Sequence, residues 1–225
     1  KDFDALVTTL NFGDPATVKA INNWCSEHTN GKITEIIDEL GRNVVMVLVN
    51  ALYFNAPWLN PFDEHMTFDA PFYGSVKESK VKMMSRKAYM NYAEYMGCQL
   101  VELPYEGGRY TMYVLLPPKD LDMNEVIGYL SEDAYKTALA SLQPTEVQLR
   151  MPKVKAESSL LLNDSLQKMG IRTAFSAAAD FSGIAEMGPL VLDQVRQKCY
   201  VEISEKGTEA AAVTSAQIRL TSARP

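Results

Sequence analysis

Histidine is nearly absent from this chain: its 225 residues hold only His28 and His65. His28 falls late in a helical stretch and His65 in a turn, and neither joins a nucleophile–base arrangement. No G-x-S-x-G, H-E-x-x-H, P-loop or G-x-G-x-x-G pattern occurs. Carboxylates are many but scattered, so the chain reads as no enzyme, with no metal site and no cofactor. Basic excess is also lacking. The net charge is −6, which argues against a nucleic-acid surface. No apolar run reaches the roughly eighteen residues that a membrane-spanning helix requires, so no membrane partner is expected. The three cysteines, Cys25, Cys98 and Cys199, are far apart and form no C-x-x-C, so they read as buried free thiols.

Apolar residues make up 47% of the chain, enough for one sizeable core or two small ones. The opening KDFDALVTTL has neither an initiator Met nor a signal-peptide pattern, and QIRLTSARP closes on no regular element. The expectation is a fragment of a longer protein.

Asp14-Pro15 predicts a helix start, with Val18, Ile21, Trp24 and Cys25 at helical spacing and Gly31 as its stop. A second short helix is expected from Ile33 to Leu40. Val44–Phe54 is a long, β-branched apolar run that predicts a strand buried on both faces. From Thr67 to Pro117 the pattern is mostly strand, in the pieces TFDAPFY, VKMM, AYMNYAEY, QLVELPY and RYTMYVLLP, separated by turn signals such as Gly107-Gly108. Asn124–Leu142 reads as helical, VQLRMPKVKA as strand, and SLLLNDSLQKMG as a capped helix ending at Gly170. A last strand is expected from about Leu190 to Ser204. With no repeat and no linker, the class is α+β in one domain, a large sheet with further strands and packed helices.

The segment after that strand is unusual for a tail. SEKGTEAAAVTSAQIRLTSARP is rich in Ala, Thr and Ser, with Gly207 and Pro225 as its only breakers. Taken alternately, Thr208, Ala210, Ala212, Thr214, Ala216, Ile218 and Leu220 are all small or apolar. The other set, Glu209 to Thr221, is mostly polar. This is the period-two pattern of a half-buried strand, with the small set expected inward. The Ala-rich start gives weak strand preference, so the segment is a candidate switch between loop and strand.

Several stretches resemble one family, in family order. EKGTEAAA (Glu205 to Ala212) is similar to the hinge of inhibitory serpins. LVNALYFNAPW resembles their third main-sheet strand and the tryptophan after it. MPKVKAESSLLLNDSLQKMGIRTAFSAAADFSGI resembles the strand, helix and turn that lead to an F-S-G-like motif. VRQKCYVEISEKG resembles the strand feeding the hinge.

The resemblance implies the serpin fold: a large central β-sheet, further sheets and packed helices. It implies one partial serpin domain over 1–225, with the hinge and reactive-centre loop at 205–225, lacking the N-terminal helices and the strands after the loop. The activity implied is irreversible inhibition of serine, or cysteine, proteases. The loop is cleaved and enters the main sheet as a strand, trapping an acyl-enzyme; serpins as a family are a known example of such strand addition and release of strain. The hinge is then Glu205, Lys206, Gly207, Thr208, Glu209, Ala210, Ala211 and Ala212. Family spacing puts the reactive bond at Thr221-Ser222, which suits an elastase-like enzyme. Arg219-Leu220 is the second choice and suits a trypsin-like one. Asn50 and Gln197 are placed on the strands flanking the insertion slot, and Trp58 where the loop enters. Many serpins have His where this chain has Gln197, so pH-sensitive gating is in doubt. A monomer is expected, with a target protease and the remaining segments of the same serpin as partners, and with secretion as the family's usual compartment. The alternative is a non-inhibitory serpin acting as carrier, chaperone or storage protein.

Overall fold

A computed structural model of the chain describes residues 7–41, 43–74, 77–183 and 190–220. Two compact units appear. One draws on the described residues of 1–54, 156–201 and 210–225, the other on 55–155 and 202–209.

The first unit opens with α1 (Ala16–His28). Asp14 Oδ1 accepts the N–H of Ala16 at 2.8 Å, and Pro15 enters at φ −55°. The expected helix from Ile33 to Leu40 does not form; the segment is irregular. Its backbone bonds go to a side chain instead. Asn22 Oδ1 accepts from the N–H of Ile36 at 2.9 Å and of Ile37 at 3.2 Å, and Asn22 Nδ2 donates to Ile37 O at 2.8 Å.

A four-stranded sheet in the order β1-β9-β8-β7 lies beside these elements: β1 (Val44–Pro57), β7 (Val154–Leu161), β8 (Leu190–Ile203) and β9 (Gly207–Leu220). One face of it packs on α1 and the irregular segment. Ala211 and Val213 of β9 join Ile21, Cys25, Ile36 and Tyr200 in a single apolar cluster, with Val47, Val49 and Ala51 of β1 against it. β1 is not buried on both faces as its composition suggests. Leu48 is 52% and Leu52 63% exposed, because no described residue covers the other face.

SLLLNDSLQKMG is not one helix. β7 continues to Leu161, and α4 (Asn163–Lys168) is short. Leu162 N donates to Val195 O at 2.8 Å, which ties the chain to β8 before the helix begins.

The second unit is a five-stranded antiparallel sheet: β2 (Phe68–Tyr73), β3 (Glu78–Tyr95), β4 (Cys98–Pro104), β5 (Thr111–Leu116) and β6 (Gln143–Pro152). β3 is one strand of 18 residues where the sequence suggests two. It pairs in turn with β2, β6 and β4. Met96 and Gly97, at φ 52° and 78°, make the tight turn from β3 to β4. The stretch expected to be one helix from Asn124 to Leu142 is two, α2 (Met123–Tyr129) and α3 (Glu132–Ala140). Ser131 divides them, because its Oγ caps the N–H of Ala134 at 3.2 Å. An apolar cavity of about 410 Å³ is lined by Leu100, Tyr113 and Leu115 together with Val126, Tyr135 and Leu139 of these helices.

Of the three thiols, Cys25 and Cys98 are buried and Cys199 is half-buried; all three are free. Burial pushes the Cys25 thiol up to about 11, against a smaller opposing effect of its own backbone N–H.

Candidate functional site

The hinge begins as a tight turn. Ser204 N donates to Gly207 O at 3.0 Å, and Glu205 and Lys206 form the bend. The two strands it joins, β8 and β9, are neighbours in the sheet and so run antiparallel.

Glu205 is only 5% exposed and is surrounded by partners. Lys153 Nζ lies 2.7 Å from Oε2, and Thr67 Oγ1 donates to Oε1 at 2.8 Å. Burial works to raise this carboxyl's pKa. The Lys153 ammonium, the residue's own backbone N–H and the Thr67 hydroxyl outweigh it, so the pKa is held below the ordinary 4.5. The Glu205 carbonyl accepts from Phe62 N at 2.9 Å.

Trp58 is 1% exposed and stacks on Tyr105, ring centroids 4.5 Å apart at 11°. Its backbone N–H donates to Lys206 O at 2.9 Å and its indole N–H to Ser204 O at 2.9 Å. One residue thus holds both sides of the turn. Tyr105 in turn donates its hydroxyl to Thr208 Oγ1 at 2.7 Å, and burial raises its pKa. Gly207 has no room for a side chain: a Cβ there would stand 2.3 Å from Ala56 O and 2.8 Å from Pro57 Cα. Lys206 is outside this packing, exposed and 3.4 Å from Glu64 Oε1.

Along β9 the buried parity differs from the expected one. Ala211, Val213, Ser215 and Gln217 are buried, while Ala210, Ala212, Thr214 and Ala216 are half-buried. Thr208 and Ile218, at the two ends, are buried as expected; Glu209 is half-buried. The cause is the position of α1 and the segment after it, which cover the side of the sheet carrying Ala211 and Val213. Residue size predicted the other side.

Asn50 is exposed on β1 and Gln197 half-buried on β8; β9 lies between their strands. Gln197, expected from its parity to face inward, is half-buried among the described residues. Arg219 is paired, its Nε 2.6 Å from Asp193 Oδ1. Leu220 ends β9, and nothing is described of its side chain. Thr221 and Ser222 lie outside the described residues.

Sequence reasoning singled out Trp58 and the hinge but missed Tyr105, Thr67, Lys153 and Asp193. The one available signal was that a buried Thr208 and Glu205 must have partners. Those partners lie 103 and 138 residues away in the cases of Tyr105 and Thr67.

Comparison with known proteins agrees over the whole length. The family model described as Serpin (serine protease inhibitor) matches residues 1–225. Intracellular coagulation inhibitor 2 of Tachypleus tridentatus is 37% identical over 207 residues, covering 90% of this chain and 51% of its own. Leukocyte elastase inhibitor of Xenopus laevis is 37% identical over 207 residues, covering 88% and 55%. The solved structure of reactive-loop-cleaved human thyroxine-binding globulin superposes with a TM-score of 0.90 at 31% identity, over 96% of this chain and 65% of that one. The chain spans about half the length of the curated relatives it matches.

Proposed function

The chain belongs to the serpin family, and we propose that it is the part of an irreversible protease inhibitor that carries the hinge and the bait. The observation behind this reading is the place of β9. An Ala/Thr/Ser-rich segment, whose Ala-rich start has weak strand preference, lies within the sheet, between β1 and β8. That is where a cleaved bait loop would end after strand addition.

The protease nucleophile attacks the bait carbonyl and forms an acyl-enzyme. The freed strand then enters the sheet from the hinge, where Trp58, Tyr105 and Glu205 fix its first residues. The tethered enzyme is carried along and its catalytic geometry is distorted, so deacylation stalls. Small residues at Ala210, Ala211 and Ala212 let the strand enter without overpacking. Asn50 and Gln197 flank the slot on β1 and β8. Residues beyond this chain cover the open face that bears Leu48, Asn50 and Leu52. The role is inhibition, not catalysis.

Thr221-Ser222 is the proposed bond. It leaves Arg219 on the strand side of the cut, consistent with the pairing of Arg219 and Asp193. An elastase-like target agrees with it, as does the relative named for inhibiting leukocyte elastase. The extracellular expectation gains no support from the relatives, one of which is named intracellular.

The test is to incubate the full-length protein with an elastase-like and a trypsin-like protease. An SDS-stable complex, with the released peptide beginning at Ser222, is expected. Cleavage without a complex would overturn inhibition and favour the carrier reading. That second reading has the apolar cavity of about 410 Å³ behind it, and one neighbour is named for binding thyroxine. It predicts a rise in melting temperature with an apolar ligand.

A further inference from the structure

Resting on that reading, we propose that Asp193 is a positioning residue that latches the far end of the bait strand, with Arg219 as its counter-charge and not as the residue offered to the protease's specificity pocket.

The two ends of β9 are held very differently. At the hinge, hydrogen bonds and a stacked aromatic pair fix the first residues. At the far end, next to the last residue of the strand, stands Arg219, its Nε 2.6 Å from Asp193 Oδ1. The run Ala210 to Ala212 contributes little strand preference, so the strand relies on anchors at its ends, and an unanchored end would fray. A short charge-assisted contact is what such an end lacks.

Asp193 is held in place from outside β9. Asn163 Nδ2 donates to Asp193 O at 2.8 Å, and Asn163 Oδ1 accepts from Val195 N at 2.9 Å. Leu162 N donates to Val195 O at 2.8 Å. Leu162 and Asn163, the first residue of α4, therefore clasp β8 on both sides of Gln194. The backbone that carries the carboxylate is fixed by residues that do not depend on β9, so that part of the ordering cost is met before the strand arrives. The Asp193 side chain is 26% exposed and that of Arg219 46%, so the pair is partly screened and its strength is modest.

The two roles open to Arg219 exclude each other. If the bond cut were Arg219-Leu220, the Arg219 carbonyl would be the acyl carbon, and its side chain would sit in the protease pocket, out of reach of Asp193. A cut at Thr221-Ser222 leaves Arg219 free to pair. Asp193 thus favours baits cut beyond residue 219.

The experiment uses the full-length protein with D193N, R219Q, the double variant and the charge swap D193R/R219D. Each is nicked in the loop with pancreatic elastase, melted, and separately titrated against elastase and trypsin. After nicking, each single variant should melt about 1–4 °C lower, and the double variant no lower than the worse single. The number of inhibitor molecules consumed per trapped enzyme should rise about two- to five-fold in both singles and recover in the swap. Additive melting losses would overturn the latch. So would loss of trapping in R219Q with none in D193N, since Arg219 would then be the bait residue. If the unaltered protein traps neither enzyme, inhibition fails as a reading, while the melting cycle on the nicked protein still decides the pair.

Discussion

Tyr105 donates its hydroxyl to Thr208 Oγ1 at 2.7 Å, joining residues 103 apart in sequence, and both are buried. The bond ties the first inward residue of β9 to a ring already stacked on Trp58. Removing the donor leaves a buried hydroxyl without this partner. Tyr105→Phe should cost about 1–2 kcal/mol in urea unfolding. Thr208→Val added to it should cost less than the two single changes summed, because the orphaned oxygen is gone.

Glu205 makes the hinge sensitive to acid. Its carboxyl is held below 4.5 when folded, so the protein binds fewer protons there than the unfolded chain does. Stabilisation is complete above the unfolded value and is lost as pH falls through the lowered one. Glu205→Gln should cost about 1.5–3 kcal/mol at neutral pH, the range for hydrogen bonds to charged groups. The gap to the unaltered protein should close as pH drops below about 4.5, the ordinary carboxyl value. A gap independent of pH between 7 and 3 would refute the charge argument.

Gly207 should tolerate nothing larger. A methyl group there meets backbone, Ala56 O at 2.3 Å, and backbone cannot turn aside as a side chain can. Gly207→Ala is expected to cost about 3 kcal/mol, read as a lower melting temperature.

How far the sequence was legible depends on the range of the interactions. Period two in β9 is local, so a strand was readable there from Thr208 to Leu220. Which face it buries depends on α1 and on Ile36 and Ile37, and alternation carries no sign for that. The false helix from Ile33 to Leu40 has the same origin: Asn22, far back in α1, supplies the bonds that a helix would have made internally. β3 looked broken at Ser85-Arg86-Lys87, yet those residues pair with Arg150, Leu149 and Gln148 of β6, a partner the local pattern could not announce. The hinge signature was readable in Glu205 to Ala212, whereas Lys153, Thr67 and Tyr105, which give Glu205 and Thr208 their partners, were not.

Ala211 and Ala212 are adjacent in β9 and face opposite ways, and this gives the sharpest test of the insertion reading. Ala211 is 3% exposed within the cluster that contains Ile21, Cys25 and Val213. Ala212 is half-buried on the face where Leu48 and Leu52 stand open. A guanidinium at 211 must leave water among aliphatic side chains, at a cost of several kcal/mol. At 212 in this chain it keeps its water. Ala211→Arg should therefore lower the stability of the 225-residue chain by about 3 kcal/mol or more, and Ala212→Arg by less than about 1 kcal/mol. In the full-length protein, with the open face covered as proposed, both variants should be cleaved as substrates and leave no SDS-stable complex. The same should hold for Ala210→Arg, which shares the face of Ala212. A full-length Ala211→Arg variant that still traps its protease would show that β9 does not enter the sheet in the register described. Trapping by Ala212→Arg alone would show instead that the face bearing Leu48 and Leu52 stays open to water in the whole protein.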